Sequence, residues 1–205
     1  MDWGWITAVT GFALAMAGTP GPNNTMVTAS GATHGFWRTL PLMSGMAIGV
    51  AAIILAVGAA GASIVSDPHI RAALKWAGCA YLLWLAWRIG RARPARHDIP
   101  GRMGAGGRPL TLMQGALFQF VNPKLWIMVA GAFVAFGGTA AQAASFAVPL
   151  VFAAVFGTAT FASTAAWTLV GVGASRLLAT ERSLRLFNWT MAALLAVSLI
   201  PVLTE

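Results

Sequence analysis

The sequence has few charged residues. Of its 205 residues only 9% are Asp, Glu, Lys or Arg, and only five are acidic. Soluble domains carry about 25% charged residues, so the composition excludes an ordinary soluble fold. Apolar residues make up 58% of the chain, and no polar stretch is long enough for a second domain. The composition therefore predicts a single membrane domain over residues 1–205.

Cysteine is also scarce, because Cys79 is the only one. A single cysteine excludes an intramolecular disulfide. The three histidines lie at the ends of apolar stretches or between them, with no Cys, Asp or Glu at metal-ligand spacing. All five carboxylates are peripheral, and the serines have no nearby pair of histidine and acid. We therefore expect no metal, no cofactor and no enzyme activity.

Apolar stretches account for most of the chain. A bilayer span needs about 20 apolar residues, and six stretches supply them: residues 3–33, 40–65, 68–89, 111–136, 144–174 and 184–203. A turn predicted at residues 137–139 separates the fourth span from the fifth. This pattern predicts an all-α membrane protein with six transmembrane helices. A linker at residues 91–110 separates two halves, residues 1–90 and 111–205, and three spans per half predict inverted topologies.

The formal net charge is +8, and its carriers lie between the apolar stretches. That placement indicates membrane topology, with lipid as the surrounding partner, and argues against nucleic acid. Cytoplasmic loops are enriched in Lys and Arg. Here those residues follow spans one, three and five, with six arginines between residues 88 and 108. We therefore predict a cytoplasmic linker, with both termini on the opposite side.

Two spans contain helix-breaking residues at matching positions of the two halves. The first is interrupted by Thr19, Pro20, Gly21, Pro22, Asn23 and Asn24, and the fourth by Asn122, Pro123 and Lys124. Proline lacks an N–H and clashes with the preceding turn, so the helix must unwind. Unwound backbone at membrane depth is tolerated only where protein buries it or it lines a cavity. We predict a binding site at the breaks; the alternative is a kink that only shapes the helix.

The polar residues after the first break suggest how the second half-helix begins. We expect Asn23 or Asn24 to cap a half-helix that starts near Thr25, whose positive N-terminal end would suit an anion. Gly21 supplies freedom of the backbone dihedrals. Gly45 and Gly49 have the spacing of a close helix contact, for which span one is the expected partner.

Lys124 is the most informative single residue, because a lysine at the centre of a membrane helix costs on the order of 3 kcal/mol. We interpret it as a site residue that faces a substrate carboxylate and as the candidate for ion coupling. The alternative is a lysine that reaches toward the cytoplasmic interface. Gln119 either hydrogen-bonds across the break or is purely structural. Trp126 and Trp167 are assigned to the core.

These residues together resemble the LysE/RhtB family of amino-acid exporters. The resemblance rests on residues 19–24, 34–38, 76–82 and 118–124 and on the two glycines of span two. Residues 19–24 are most similar to the cysteine and O-acetylserine exporter branch. The resemblance implies a bacterial inner-membrane protein that exports amino acids or related metabolites with the ion gradient, its two proline motifs forming the central site. Some members have an acid where Asn23 stands, which argues against direct proton carriage at that position.

We therefore predict a secondary active transporter that alternates its access around a midplane site, with both termini in the periplasm. A zwitterionic substrate would place its carboxylate near Asn23 and Asn24 or beside Lys124. Its ammonium group would lie on the carbonyls of residues 19–21. The alternatives are a solute importer or channel of another class, and a membrane scaffold or assembly factor without transport. The sequence leaves a homo-oligomer open.

Overall fold

The structure, a computed structural model, describes residues 2–60, 76, 79–80, 83–84, 86–91, 108–137, 146–177 and 180–197. Seven helices are delimited within this part of the chain: α1 Trp3–Gly18, α2 Pro22–His34, α3 Phe36–Ala60, α4 Leu112–Phe120, α5 Pro123–Phe136, α6 Ala147–Leu177 and α7 Glu181–Val197. The described residues between 76 and 90 are helical as well. The predicted all-α class is thus confirmed.

Local sequence explains several helix ends. Asp2 caps α1 by accepting a hydrogen bond from the Trp5 backbone N–H at 2.8 Å. Thr111 and Gln114 form a reciprocal capping box at the start of α4. Gly35 separates α2 from α3 with a φ of 81°, a dihedral that glycine adopts without a steric penalty.

Two helices are individually long and apolar enough to cross a membrane. They are α3 over Phe36–Ala59, with a mean hydropathy of 2.3, and α6 over Ala147–Ser175, with a mean hydropathy of 1.6. The pair α4 and α5 makes a third candidate if its bent helices count as one span. These three coincide with predicted spans two, five and four.

Predicted spans one, three and six correspond only in part to helices that the structure describes. Residues 3–33 divide into α1, which is apolar but has 16 residues, and α2. Most of residues 68–89 lies outside the described residues, as do residues 138–140 and the end of span six beyond residue 197. Helix α5 ends at Phe136, immediately before the predicted turn. The count of six spans stays a prediction.

The helices pack around two clusters of buried apolar side chains. One joins α1, α3, α5 and α6 through residues such as Val9, Ile53, Val129 and Phe152. The other includes Met26 of α2 and residues of α3 and α4. Many large apolar side chains are exposed outside these clusters, for example Val134 at 89%. Such an apolar exterior suits lipid and would be unfavourable in water.

Gly45 and Gly49 allow α3 to contact α4, and not span one as predicted. A methyl group on Gly49 would lie 2.6 Å from the Ala116 carbonyl oxygen, and one on Gly45 would overlap the Leu112 carbonyl. Small residues at this spacing let two backbones approach. The partner was mispredicted because spacing identifies a contact surface without identifying the helix that covers it.

A comparable contact joins α2 to α6. A methyl group on Gly171 would overlap the Thr28 carbonyl, and one on Gly31 would overlap the Thr168 carbonyl. The two backbones therefore touch on both sides of their crossing. This contact fixes α2 against the long helix α6.

Candidate functional site

The first helix break is shorter than predicted and comprises residues 19–21. Helix α2 begins at Pro22, not near Thr25. Proline suits the first helical position, since its missing N–H would have no intrahelical partner there. Asn23 and Asn24 consequently lie inside the first turn, and neither caps the helix. The N-cap residue is Gly21, which has no side chain to bond.

Asn24 instead reaches back to the end of α1. Its Nδ2 donates to the carbonyl oxygens of Ala17 and Thr19, each at 2.9 Å. The last carbonyls of a helix have no intrahelical partner, so this amide replaces bonds that the break removes. Asn24 is buried and links the two half-helices.

Helix α6 supplies further donors to the same helix end. Ser163 Oγ donates to the Ala17 carbonyl at 2.8 Å, and Trp167 Nε1 donates to the Gly18 carbonyl at 3.2 Å. Sequence reasoning missed both residues. The available signal was a row of polar side chains at helical spacing on an otherwise apolar helix: Thr160, Ser163, Thr164, Trp167 and Thr168.

The second break has a similar construction. Helix α4 ends at Phe120 and α5 begins at Pro123, again with proline in the first position, and the two helices are bent by 63°. Trp126 Nε1 donates to the Phe120 carbonyl at 2.8 Å. In each half, an indole N–H thus satisfies a carbonyl at the end of the first half-helix.

Lys124 connects the two breaks. Its Nζ donates to the Thr19 carbonyl oxygen and to Thr19 Oγ1, both at 2.7 Å, and lies 3.5 Å from the Pro20 carbonyl. The side chain is half-buried. It crosses directly over Gly21, where an added methyl group would lie 2.9 Å from Lys124 Cδ.

That contact changes the reason for a glycine at position 21. Its backbone is fully extended, with a φ of 178°, so the predicted need for unusual dihedrals is wrong. What the position requires is space beneath the Lys124 side chain.

Three amide side chains join the breaks at a second point. Asn23 Nδ2 donates to Gln119 Oε1 at 3.2 Å, and Gln119 Nε2 donates back to Asn23 Oδ1 at 3.0 Å. Asn122 Nδ2 donates to Asn23 Oδ1 at 3.2 Å. Gln119 is fully buried, and it also accepts from Asn122 Nδ2 at 3.4 Å, which is the predicted hydrogen bond across the second break.

A cavity of about 30 Å³ lies between the breaks. Its wall includes Asn23, Asn122 and Lys124 and, from α6, Thr160 and Thr164. This volume holds about one or two water molecules, whereas ligand pockets measure roughly 300–1,000 Å³. The site as it stands is contracted around its polar groups.

One buried acceptor in this wall has no donor among the described residues. It is Oδ1 of Asn122, a side chain that is 3% exposed. A buried carbonyl oxygen without a hydrogen bond costs about 1–3 kcal/mol. The atom is therefore an unsatisfied acceptor on a residue that lines the cavity.

The nine predicted site residues come together in space. Gly21, Asn23, Asn24, Asn122 and Lys124 line the cavity, Thr19 and Pro20 accept from Lys124, and Pro22 and Pro123 begin the second half-helices. The prolines shape the site without donating to it. Among the described residues, no group of three or more His, Cys, Asp or Glu is placed to bind a metal.

Known proteins of one family are similar to this chain. The family model described as LysE type translocator matches residues 14–202. The chain is 33% identical over 162 residues, 78% of each chain, to the cysteine/O-acetylserine efflux proteins of Escherichia coli strain K12 and Shigella flexneri. The match to that of Escherichia coli O157:H7 is 36% over 115 residues, about half (56%) of each chain. No solved structure matches.

The chain belongs to the LysE type translocator family. The resemblance found in its motifs is thereby confirmed. The protein is a membrane transporter and not an enzyme.

Proposed function

We propose that this protein is a secondary active transporter that exports a small amino acid or a related metabolite across the bacterial inner membrane. The observation that carries the proposal is the contact of Lys124 with Thr19. It brings two broken helices, one from each half, to a single cavity lined by charged and amide groups. Interrupted helices that meet in this way are typical of transporter sites.

The contacts suggest how a zwitterion would bind. Lys124 offers its ammonium group to the substrate carboxylate, and the N-terminal ends of α2 and α5 lie nearby. The Thr19 carbonyl, which we expected to receive the substrate ammonium, already accepts from Asn24 and Lys124. We therefore place the substrate ammonium at Oδ1 of Asn122.

Alternating access follows from competition for Lys124. In the structure, Lys124 binds the unwound backbone beside a small cavity. A carboxylate that attracts Lys124 would release α5 from residues 19–20 and allow the breaks to separate. The cycle thus links binding to a change in the distance between the two halves.

The architecture of the proposal is six spans in two inverted halves, with both termini in the periplasm. Helix contacts support it: α3, from the second span, packs on α4 of the fourth span, and α6, from the fifth, packs on α2 of the first. In each case the first span of one half contacts the second span of the other. Inverted repeats would pair these spans, although the half-helices in contact are not equivalent: α4 is the first half of its span, and α2 is the second half of its span.

The relatives named as cysteine/O-acetylserine efflux proteins favour a substrate of that size. Two alternative functions, a scaffold and a solute importer, predict different results. A scaffold would have no need for a half-buried lysine between two broken helices. A solute importer would use the same site but accumulate its substrate.

Purified protein in liposomes that contain labelled O-acetylserine or serine tests these possibilities. An ion gradient, of protons or of sodium, is imposed in separate samples, and release is compared with that from liposomes containing Lys124→Met. We expect gradient-dependent release from wild type alone. Release by neither protein would support the scaffold, and equal release without any gradient would support a channel.

A further inference from the structure

A second cavity, of about 210 Å³, lies at the opposite end of α2 from the central site. At 1.5 Å per residue, Pro22 and His34 are separated by about 18 Å. Three arginines contribute to this cavity, Arg88, Arg91 and Arg108, and none of the described residues in its lining is acidic. The two cavities share no lining residue.

The side chains of two of these arginines, Arg88 and Arg91, contact neighbouring groups. Arg88 Nη2 donates to the Arg108 backbone carbonyl at 2.8 Å. The Arg88 guanidinium lies 5.3 Å from the centre of the Trp84 ring, and that of Arg91 lies 4.8 Å from the centre of the Trp87 ring. Both tryptophans are exposed, as expected of side chains at a membrane interface.

The rest of the lining is largely apolar and includes Met26, Ile89 and Leu110. Guanidinium groups bind phosphate through paired N–H donors. A free phosphate ion would use the arginines and leave the apolar wall uncovered. A phospholipid would cover both, because its glycerol and acyl groups follow the phosphate.

We propose that this cavity binds the headgroup of an anionic phospholipid. The site lies beside the basic linker that is predicted to be cytoplasmic, and basic pockets between helices on that side suit anionic headgroups. The lipid phosphate contacts the arginines, and its acyl chains continue along the exposed tryptophans. This site is separate from that of the exported substrate.

Thermal unfolding of the purified full chain in neutral detergent tests the proposal. Phosphatidylglycerol, phosphatidylcholine with the same acyl chains and inorganic phosphate are added separately. A ligand that binds only the folded state raises Tm. We expect phosphatidylglycerol alone to raise Tm, by several degrees. The increase should shrink at least by half in Arg91→Gln and Arg108→Gln and persist in the control Arg185→Gln, which changes an exposed arginine on α7.

Three results would overturn the proposal: equal stabilisation by phosphatidylcholine, equal stabilisation by inorganic phosphate, or the same loss in Arg185→Gln. Native mass spectrometry of the wild type provides a second measurement that needs no variant. At least one phosphatidylglycerol should stay bound at a collision energy that removes phosphatidylcholine. Equal retention of the two lipids would contradict a headgroup site.

Discussion

The Lys124 ammonium nitrogen lies 2.7 Å from the Thr19 carbonyl oxygen, although the two residues are 105 positions apart in the chain. The contact places a cation at the carbonyl end of α1, where the helix dipole favours positive charge. It also occupies the backbone group that a substrate ammonium could otherwise bind. A single side chain therefore links the first break to α5 and occupies an acceptor of the proposed substrate site.

Asn24 provides a first prediction about the break. Asn24→Leu removes one donor from the Ala17 carbonyl and one from the Thr19 carbonyl, and each keeps another donor. With about 0.5–1.5 kcal/mol per hydrogen bond, the loss of stability is about 1–3 kcal/mol. We expect the variant to insert into the membrane and to lose most export, as measured by release from liposomes.

Asn188→Leu is the matched control for Asn24→Leu. Asn188 is also fully buried and bonds Thr33 across helices, but it does not line the central cavity. It should lose comparable stability and keep at least half of the export rate. If both variants retain export equally, the break only shapes the helix.

The amide pair Asn23 and Gln119 provides a second prediction. Because the two side chains exchange hydrogen bonds, alanine at both positions should cost less than the sum of the single changes. We expect a coupling of about 0.5–3 kcal/mol in the free energy of unfolding in detergent. Asn23→Ala combined with Asn188→Ala, two residues without mutual contact, should be additive within about 0.5 kcal/mol. Additivity in the first pair would show that the amides act separately.

The contact between α3 and α4 provides a third prediction. Gly49→Ala forces a methyl group to within 2.6 Å of the Ala116 carbonyl, and such overpacking costs roughly 1–3 kcal/mol. Gly11→Ala, in α1, meets no atom within 4 Å and should gain up to about 1 kcal/mol from helix propensity. The same substitution is therefore expected to lower Tm at position 49 and to leave or raise it at position 11. A rise at both positions would disprove the close contact.

The helix breaks were easier to predict from the sequence than the contacts around them. Proline determines the local backbone, so both breaks followed from residue chemistry. That the two proline motifs form one site was expected only from the family resemblance, and the contact of Lys124 with Thr19 was not predicted. The start of α2 was missed because Pro22 can open a helix as well as end one. We expected Pro22 only to end a helix.

Contacts between distant helices were harder to predict than the breaks. Gly45 and Gly49 indicate a close approach, yet nothing local distinguishes α1 from α4 as the partner. The role of Trp167 was missed for a similar reason: its donor is used only because α6 passes the end of α1. The polar side chains at helical spacing on α6 were the sequence feature that indicated a contact of this kind.

Membrane orientation provides a fourth prediction. Trp3 and Trp37 are 83% and 79% exposed. The predicted topology, with the N-terminus outside and the loop after span one inside, would place Trp3 at the outer interface and Trp37 at the inner one. In a Cys79→Ala background, Trp3→Cys should react with a membrane-impermeant maleimide in intact cells, and Trp37→Cys should react only after the cells are opened. Labelling of Trp37→Cys alone in intact cells would reverse the predicted topology.

The last prediction concerns coupling at Lys124. No carboxylate lies within the central part of a predicted span, so a proton-coupled cycle needs another group to release its proton. Among the described residues that line the central cavity, Lys124 is the one with a titratable side chain. Lys124→Arg keeps a positive charge but replaces a group that can deprotonate with one that does not. Lys124→Met removes both charge and proton.

In liposomes with an imposed pH gradient, Lys124→Arg should still exchange labelled substrate for unlabelled substrate, because its guanidinium can bind a carboxylate. It should lose accumulation against a concentration gradient at least tenfold, and Lys124→Met should lose both activities. A wild-type sample without the gradient separates exchange from driven transport. Undiminished accumulation by Lys124→Arg would limit Lys124 to an electrostatic role, and the coupling ion would then have to act through the backbone carbonyls and amides of the two breaks.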